Sequence, residues 1–185
     1  MANCLNYNCD ELGQYESSMG NCAARVRKGG ASTFLLLECG HLITDPTNAT
    51  QINTAIADGT AKVITGVKLG FDDPSATTSP ATTSCGSEEV VEYTRTATIE
   101  DYKVTGVNTD FWNTAKKRSY GGFMAIQCVT EGLTELLTWV DAEVTMQAFR
   151  RMPNVSSEAQ LYNVKLTWKS LDDPLDYSVP AGINI

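Results

Sequence analysis

The sequence predicts a mainly β protein, an antiparallel sandwich or barrel of about six to seven strands with one or two short helices. Several segments alternate apolar and polar residues with a period of two, which is typical of strands with one buried face. Hydrophobic residues make up 42% of the chain and charged residues 19%, a globular composition. The 185 residues suffice for a single well-buried core.

The alternation recurs along the chain. Residues 140–148 read VDAEVTMQA and residues 162–169 read YNVKLTWK, and in both segments every second residue is apolar or aromatic. Residues 88–104 and 61–71 follow the same rule less strictly, whereas residues 33–43 are a short apolar run that favours a buried strand. Such strands, dry on one face and wet on the other, are typical of antiparallel sheets around one core.

Two helices are predicted, at residues 46–58 and 109–118. Asp45 is a suitable N-cap for the first helix, and the proline after it suits a first helical position. Either Asn108 or Thr109 is a suitable N-cap for the second helix, which ends in a basic cluster that favours the negative end of the helix dipole.

The domain organisation follows from composition. Residues 1–30 are polar and rich in Gly, Asn and Cys, and we interpret them as an N-terminal arm. Residues 31–175 form a single β-rich domain, and residues 176–185 are a C-terminal tail. Residues 72–87 are rich in Ser, Thr and Pro, which predicts a long exposed loop.

Charge and segment lengths exclude some functions. The net charge is -8 and the pI is about 4.6, so sequence-specific nucleic-acid binding and docking on anionic membranes are not expected. The N-terminus lacks a cationic region followed by an apolar run, so we expect no signal peptide and folding in a cytoplasm. The longest apolar stretches are too short to span a bilayer.

One motif nearly recurs. Residues 67–74 read VKLGFDDP and residues 164–174 read VKLTWKSLDDP. Proline stops a strand and aspartate forms turns, so we interpret each Asp-Asp-Pro as a strand end. The alternative is a calcium site, but calcium takes six to eight oxygen ligands and neither pair lies in a D-x-D-x-D-G pattern.

The cysteines and the single histidine give little indication of catalysis. Of the six cysteines, none lie in a C-x-x-C pair, so no metal site is predicted. Cys39 and His41 would share a face if both lay on a strand, which is the basis for considering a cysteine hydrolase. We favour a structural role for both and expect the thiols to be buried or idle, with no catalytic residue and no cofactor.

This layout of arm, β domain, helix and long polar loop resembles the tail tube proteins of tailed bacteriophages. The resemblance implies a non-enzymatic virion protein, assembled in the host cytoplasm, whose partners are its own copies and other virion proteins. It implies rings, hexameric by the same comparison, that stack into a tube and let DNA pass without specific binding. The predicted subunit-interface residues are Arg25, Arg27, Lys28, Asp72, Asp73, Pro74 and Pro80. The predicted lumen-facing residues are Glu92, Thr94, Thr96, Glu100, Asp141 and Glu143.

Three alternatives remain from the sequence. The first is a capsid decoration or auxiliary head protein, which is also β-rich. The second is a small enzyme that uses Cys39 and His41. The third is a β-sandwich receptor-binding or carbohydrate-binding module with the Ser/Thr-rich loop as its contact surface.

Overall fold

Antiparallel strands dominate the structure, as the alternating segments predict. The computed structural model describes residues 31–80, 88–128, 135–152 and 159–185, and it contains more strands than predicted. The strands are β1 (Ala31–Leu37), β2 (Ala61–Phe71), β3 (Ser75–Pro80), β4 (Glu88–Asp101), β5 (Ser119–Tyr120), β6 (Gly122–Cys128), β7 (Glu135–Val140), β8 (Val144–Arg151), β9 (Leu161–Ser170) and β10 (Leu175–Ser178). The helices are α1 (Ala49–Ala57) and α2 (Gly106–Ala115).

The strands pair in the order β10-β7-β6-β1-β2-β4-β9-β8-β5, and β3 pairs with β4 beside this path. β5 pairs with β8 and β6 pairs with β1, yet only Gly121 separates β5 from β6. The strands from β6 round to β5 therefore curl into a barrel that the chain itself closes at Gly121, with no strand pairing across that point among the described strands. Gly122 sits where β6 meets β7, and a Cβ there would collide with the carbonyl oxygen of Val140, so only glycine fits this approach.

The main core fills the barrel. It combines inward side chains of most strands with one face of α2, where Trp112 is fully buried. Phe123 on β6 meets Trp168 on β9 edge to face at 5.3 Å. Full burial of one large apolar side chain stabilises the fold by roughly 1.5–3 kcal/mol, so this cluster supplies most of the hydrophobic driving force.

A second apolar cluster lies on the outer side of the barrel. Ile52 of α1 packs against the outward faces of β1, β6 and β7, and the C-terminal segment covers the same side. The Asn53 side chain fixes that segment, because its amide donates to the Gly182 carbonyl at 2.8 Å and its oxygen accepts from the Asn184 N–H at 2.9 Å. This side of the barrel is thereby covered by α1 and the C-terminal segment.

The first helix is shorter than predicted and has a different cap. Asn48 is the N-cap and accepts from the N–H groups of Thr50 and Gln51. Asp45 instead accepts from the backbone and hydroxyl of Thr47 at 2.8 and 2.6 Å, which makes a turn before the helix. The helix therefore begins three residues later than predicted.

The second helix begins three residues earlier than predicted, and Thr105 is its N-cap. Neither predicted cap was available. Asn108 is buried and donates to the Lys103 carbonyl at 3.0 Å, and the Thr109 hydroxyl donates to the Thr105 carbonyl at 2.7 Å. Both side chains are therefore engaged by backbone carbonyls four and five residues earlier in the chain.

The predicted loop at residues 72–87 is partly a strand. Residues 75–80 form β3, which pairs with the start of β4, although the side chains of residues 71–78 are all exposed. Over residues 72–78 the exposure agrees with the prediction. The conformation does not, because Ser- and Thr-rich segments form strands when a partner strand supplies the hydrogen bonds.

Candidate functional site

The two Asp-Asp-Pro turns meet at one end of the barrel. β2 and β9 flank β4 on opposite sides, and Phe71 and Leu166 both pair with Ala97. β2 ends at this position, whereas β9 continues to Ser170 before its turn. The longer course of β9 accounts for the extra residues between Val-Lys-Leu and Asp-Asp-Pro in the second motif. Each motif ends a strand, as predicted, and the near repeat reflects two strands that share one partner.

Between the two turns lies a cleft of about 360 Å³, which we call the Arg95 cleft. It opens at the mouth of the barrel, above the core. Its walls are the exposed edge of Phe71 and the buried Trp168, with carboxylates around the rim. Arg95 lines the cleft together with Phe71, Asp72, Asp73, Trp168, Asp173 and Asp176.

Arg95 is the unusual residue of the cleft because it is a charged side chain on the inward face of β4. It is 8% exposed. One terminal nitrogen lies 2.5 Å from the Asp173 carboxylate, and the other donates to the Leu171 carbonyl at 3.4 Å. Its Nε–H is buried and has no hydrogen-bond partner within the described residues. Tyr93 offers its ring face 5.5 Å from the guanidinium carbon.

The cleft carries an excess of negative charge, with four carboxylates against one guanidinium. Asp72 accepts from the Thr98 hydroxyl at 3.1 Å, and Asp176 accepts from the Thr138 hydroxyl at 2.5 Å. In the described part of the chain, no three carboxylate, imidazole or thiol groups converge closely enough to hold a metal ion. The donor set of the cleft therefore suits a cationic organic group better than a bound metal.

A second groove of about 520 Å³ adjoins the Arg95 cleft and shares Trp168, Asp173 and Pro174 with it. Trp139 and Tyr177 line it, with their ring centroids 6.3 Å apart. The two grooves together make the mouth of the barrel an acidic surface with aromatic walls.

Four of the predicted lumen-facing residues share the outward face of β4. Glu92, Thr94, Thr96 and Glu100 alternate with the buried positions of that strand. The carboxylates are matched by lysines of the neighbouring strands: Lys169 lies 2.6 Å from Glu92, and Lys68 lies 3.3 Å from Glu100. This face is therefore polar and nearly neutral rather than acidic.

Asp141 and Glu143 do not lie on a strand, contrary to the prediction of one strand over residues 140–148. β7 ends at Val140 and β8 begins at Val144, so both acidic residues lie in the turn between them. The apolar alternation continued through this turn because Ala142 packs on the core as well. Periodicity alone could not reveal the break.

Cys39 and His41 are not two positions of one strand. β1 ends at Leu37 and the chain turns at Cys39 and Gly40. Cys39 is in a disulfide, so it is not the idle thiol that we expected and offers no thiolate nucleophile. The structure therefore removes the arrangement on which the cysteine hydrolase rested.

His41 is nevertheless an unusual group. It is 3% exposed, its Nδ1 has no partner in the described residues, and its Nε2 lies 3.9 Å from the Asp141 carboxylate. Burial lowers the pKa of His41 below the ordinary value of 6.5, and the nearby Asp141 charge opposes that shift.

The predicted interface residues divide into two groups. Arg25, Arg27 and Lys28 lie outside the described residues. Asp72, Asp73 and Pro74 line the Arg95 cleft, and Pro80 ends β3.

Sequence reasoning missed Arg95 and Asp176, and it considered Asp173, with Asp172, only as a strand end or a calcium ligand. One signal was present: Arg95 is the single charge among the inward positions of β4 from residue 93 to residue 99. A lone charge at a dry position of a strand needs a partner or marks a site. The pairing of β4 with both repeat strands, which brings the partners together, could not be read from the sequence.

Comparison with known proteins identifies no relative: no family model, no curated protein and no solved structure matches the chain. Neither of the two described helices has the length and apolar character needed to cross a membrane.

Proposed function

We propose that this protein is a non-enzymatic structural subunit that assembles with its own copies into stacked rings, as the tail tube of a bacteriophage virion. The observation that carries the proposal is the β3–β4 ribbon, defined as residues 77–80 paired with residues 88–92. It is a two-stranded extension that buries little within its own subunit.

The ribbon extends beyond the barrel because this part of β4 does not pair with β2 or β9. β4 pairs with β9 only from Tyr93 onward and with β2 only over residues 97–100, so residues 88–92 have β3 as their one described partner. An isolated two-stranded hairpin is marginally stable in water. Ordering each of its residues costs roughly 1–2 kcal/mol, a cost that contact with a neighbouring subunit would offset.

The ribbon also carries an open strand edge. β3 pairs with β4 alone among the described strands, and β10 is likewise paired on one side, with β7. Open edges invite pairing with another chain, and a closed ring of identical subunits satisfies them. Val90 and Val91 are 38% and 51% exposed near the base of the ribbon, which adds apolar surface for such a contact.

The nearly neutral outward face of β2, β4, β8 and β9 is consistent with a wall that does not bind DNA tightly. Its acidic residues are paired with lysines, and threonines fill much of the remainder. We propose that Glu92, Thr94, Thr96 and Glu100 line the lumen, and that other virion proteins cap the tube.

The test is removal of the ribbon. Deletion of residues 74–84 should leave a folded subunit, judged by circular dichroism and cooperative melting, that forms no rings or tubes in negative-stain images. A deletion variant that assembles like the intact protein would overturn the proposal.

A double substitution tests the same strand without a deletion that could impair folding. Ala76→Lys with Thr78→Lys places charge on the open strand β3, and we expect the association constant to fall about tenfold or more, equivalent to ~1.4 kcal/mol. The matched control is Asn163→Lys with Thr167→Lys on β9, which has neighbours on both sides. Equal loss of assembly in both variants would show that charge, and not the strand edge, is responsible.

A further inference from the structure

The Arg95 cleft has features of a binding site for a basic peptide segment. Its carboxylates suit guanidinium or ammonium groups, and its aromatic walls, Phe71 and Trp168, suit the flat face of an arginine. Arg95 lines the same cleft with a side chain that is 9% exposed, and its buried Nε–H has no partner within the described residues. A peptide with basic side chains suits both the carboxylates and the aromatic walls, whereas a metal ion or an anion does not.

The same chain contains such a segment. Residues 25–28 read RVRK and carry three cations within four positions. The cleft holds four carboxylates and one guanidinium, so three negative charges are unmatched within it. The charges of the segment and of the cleft are therefore complementary in sign and equal in number.

The course of the chain places this segment beside the cleft. β1 lies between β2 and β6, and each of those strands contributes a residue to the cleft, Phe71 and Gln127. Ala31, the first residue of β1, pairs with Leu69, three residues before Asp72. Lys28 precedes Ala31 by three residues, a reach of up to about 11 Å for an extended chain.

We propose that residues 25–28 dock in the Arg95 cleft of their own subunit, with Arg25, Arg27 and Lys28 against Asp72, Asp73 and Asp176. The docked segment anchors the base of the N-terminal arm at the barrel mouth and sets the direction in which the preceding residues leave. This inference goes beyond the proposed assembly, because it concerns a single subunit and holds for a monomer as well.

Limited trypsin digestion tests the docking directly, since trypsin cleaves after Arg and Lys. In the full-length protein at low salt, cleavage after residues 25, 27 and 28 should be slow. The triple variant Asp72→Asn, Asp73→Asn, Asp176→Asn should be cleaved there about tenfold faster. Loss of each exposed ion pair is expected to raise the cleavage rate by a factor of about two, and three pairs are lost. All three carboxylates are on exposed residues, so the fold should survive.

The matched control removes three exposed carboxylates elsewhere, with Asp58→Asn, Asp110→Asn and Glu143→Gln. It makes the same change in net charge and should be cleaved at the rate of the intact protein. High salt should accelerate cleavage of the intact protein and the control toward the rate of the cleft variant, because the screening length falls from about 10 Å at 0.1 M to about 3 Å at 1 M. Equal cleavage of the intact protein, cleft variant and control would overturn the proposal.

Carbodiimide coupling distinguishes the subunit's own segment from that of a neighbour. A mixture of isotopically light and heavy protein is coupled and digested, and peptides that join Lys28 to Asp72, Asp73 or Asp176 are weighed. The proposal predicts peptides of a single isotope. Mixed-isotope peptides would overturn docking within one subunit. The docking and the assembly can fail separately. If residues 25–28 resist trypsin and couple within one isotope, but the protein never assembles, the docking holds and the proposed function is wrong.

Discussion

β4 carries two buried charged residues, Asp101 at its last position and Arg95 in its middle, and their surroundings differ. Asp101 lies at the end covered by α2, is fully buried, and accepts from the Trp112 indole at 2.8 Å and the Lys103 N–H at 2.9 Å. Arg95 lies at the open mouth, and its main partner, Asp173, has a side chain that is 86% exposed. Six residues apart on one strand, one charge is enclosed by donors and the other is held by a single solvated carboxylate.

The difference separates a structural charge from a candidate site. A buried charge with complete hydrogen bonding fixes the elements around it, and here Asp101 ties the end of β4 to α2. A buried guanidinium with an unpartnered N–H retains capacity to bind another group. We therefore assign Asp101 to stability and Arg95 to binding.

The largest expected effect is at Asp101. Asp101→Ala removes the acceptor for the Trp112 and Lys103 N–H groups and should lower the free energy of unfolding by about 3–5 kcal/mol. Asp101→Asn, which keeps one acceptor oxygen, should cost less, about 1–3 kcal/mol. Urea denaturation measures both. A loss below about 1 kcal/mol for Asp101→Ala would contradict the contrast drawn between Asp101 and Arg95.

The expected losses of stability are smaller at Arg95, and Asp173→Ala should destabilise the fold more than Arg95→Met. Asp173→Ala leaves a buried guanidinium without its carboxylate and should destabilise the fold by about 1–2 kcal/mol, since solvent screens the pair. Arg95→Met replaces the charge with an apolar side chain of similar length and should cost under about 1 kcal/mol. If Arg95→Met proves the more destabilising of the two, Arg95 is structural and the assignment is wrong.

His41 extends the comparison to a third buried ionisable group. Because burial holds the folded pKa of His41 below its ordinary value of 6.5, the unfolded chain binds the proton more tightly. The stability that neutral His41 contributes is thus present above pH 6.5 and is lost as the pH falls below that value toward the folded pKa. Melting curves between pH 7.5 and about 5 should show the decline.

Two variants test the assignment of that decline to His41. His41→Gln should flatten it, whereas Asp141→Asn, which removes the charge that favours the imidazolium, should steepen it. An unchanged slope in His41→Gln would assign the pH dependence to other groups.

The smallest expected effect concerns calcium at the acidic mouth. Calcium at about 1–5 mM should leave the melting temperature unchanged, since calcium needs six to eight converging oxygens. A rise in melting temperature that disappears in Asp72→Asn or Asp172→Asn would show that the mouth binds cations and not a peptide.

Much of the fold was predictable because period-two alternation reports which strand face is dry. It identified the inward positions of β8 and β9 and the exposed character of residues 72–78. It failed where individual side-chain contacts decide. Asp101 accepts hydrogen bonds from Asn108 and Trp112 of α2, and Ala142 packs on the core inside the turn that follows β7. The Arg95 cleft combines β2, β4 and β9, so its existence depends on strand order, which no local pattern encodes.

We propose that the subunit assembles with its own copies, and the intact protein provides the test. Sedimentation velocity across a wide concentration range, with negative-stain imaging of the same samples, measures whether it forms closed rings or hollow tubes. We expect discrete ring-sized species that convert to tubes as concentration rises. A protein that remains monomeric at the highest concentration reached, with no rings in the images, would contradict it.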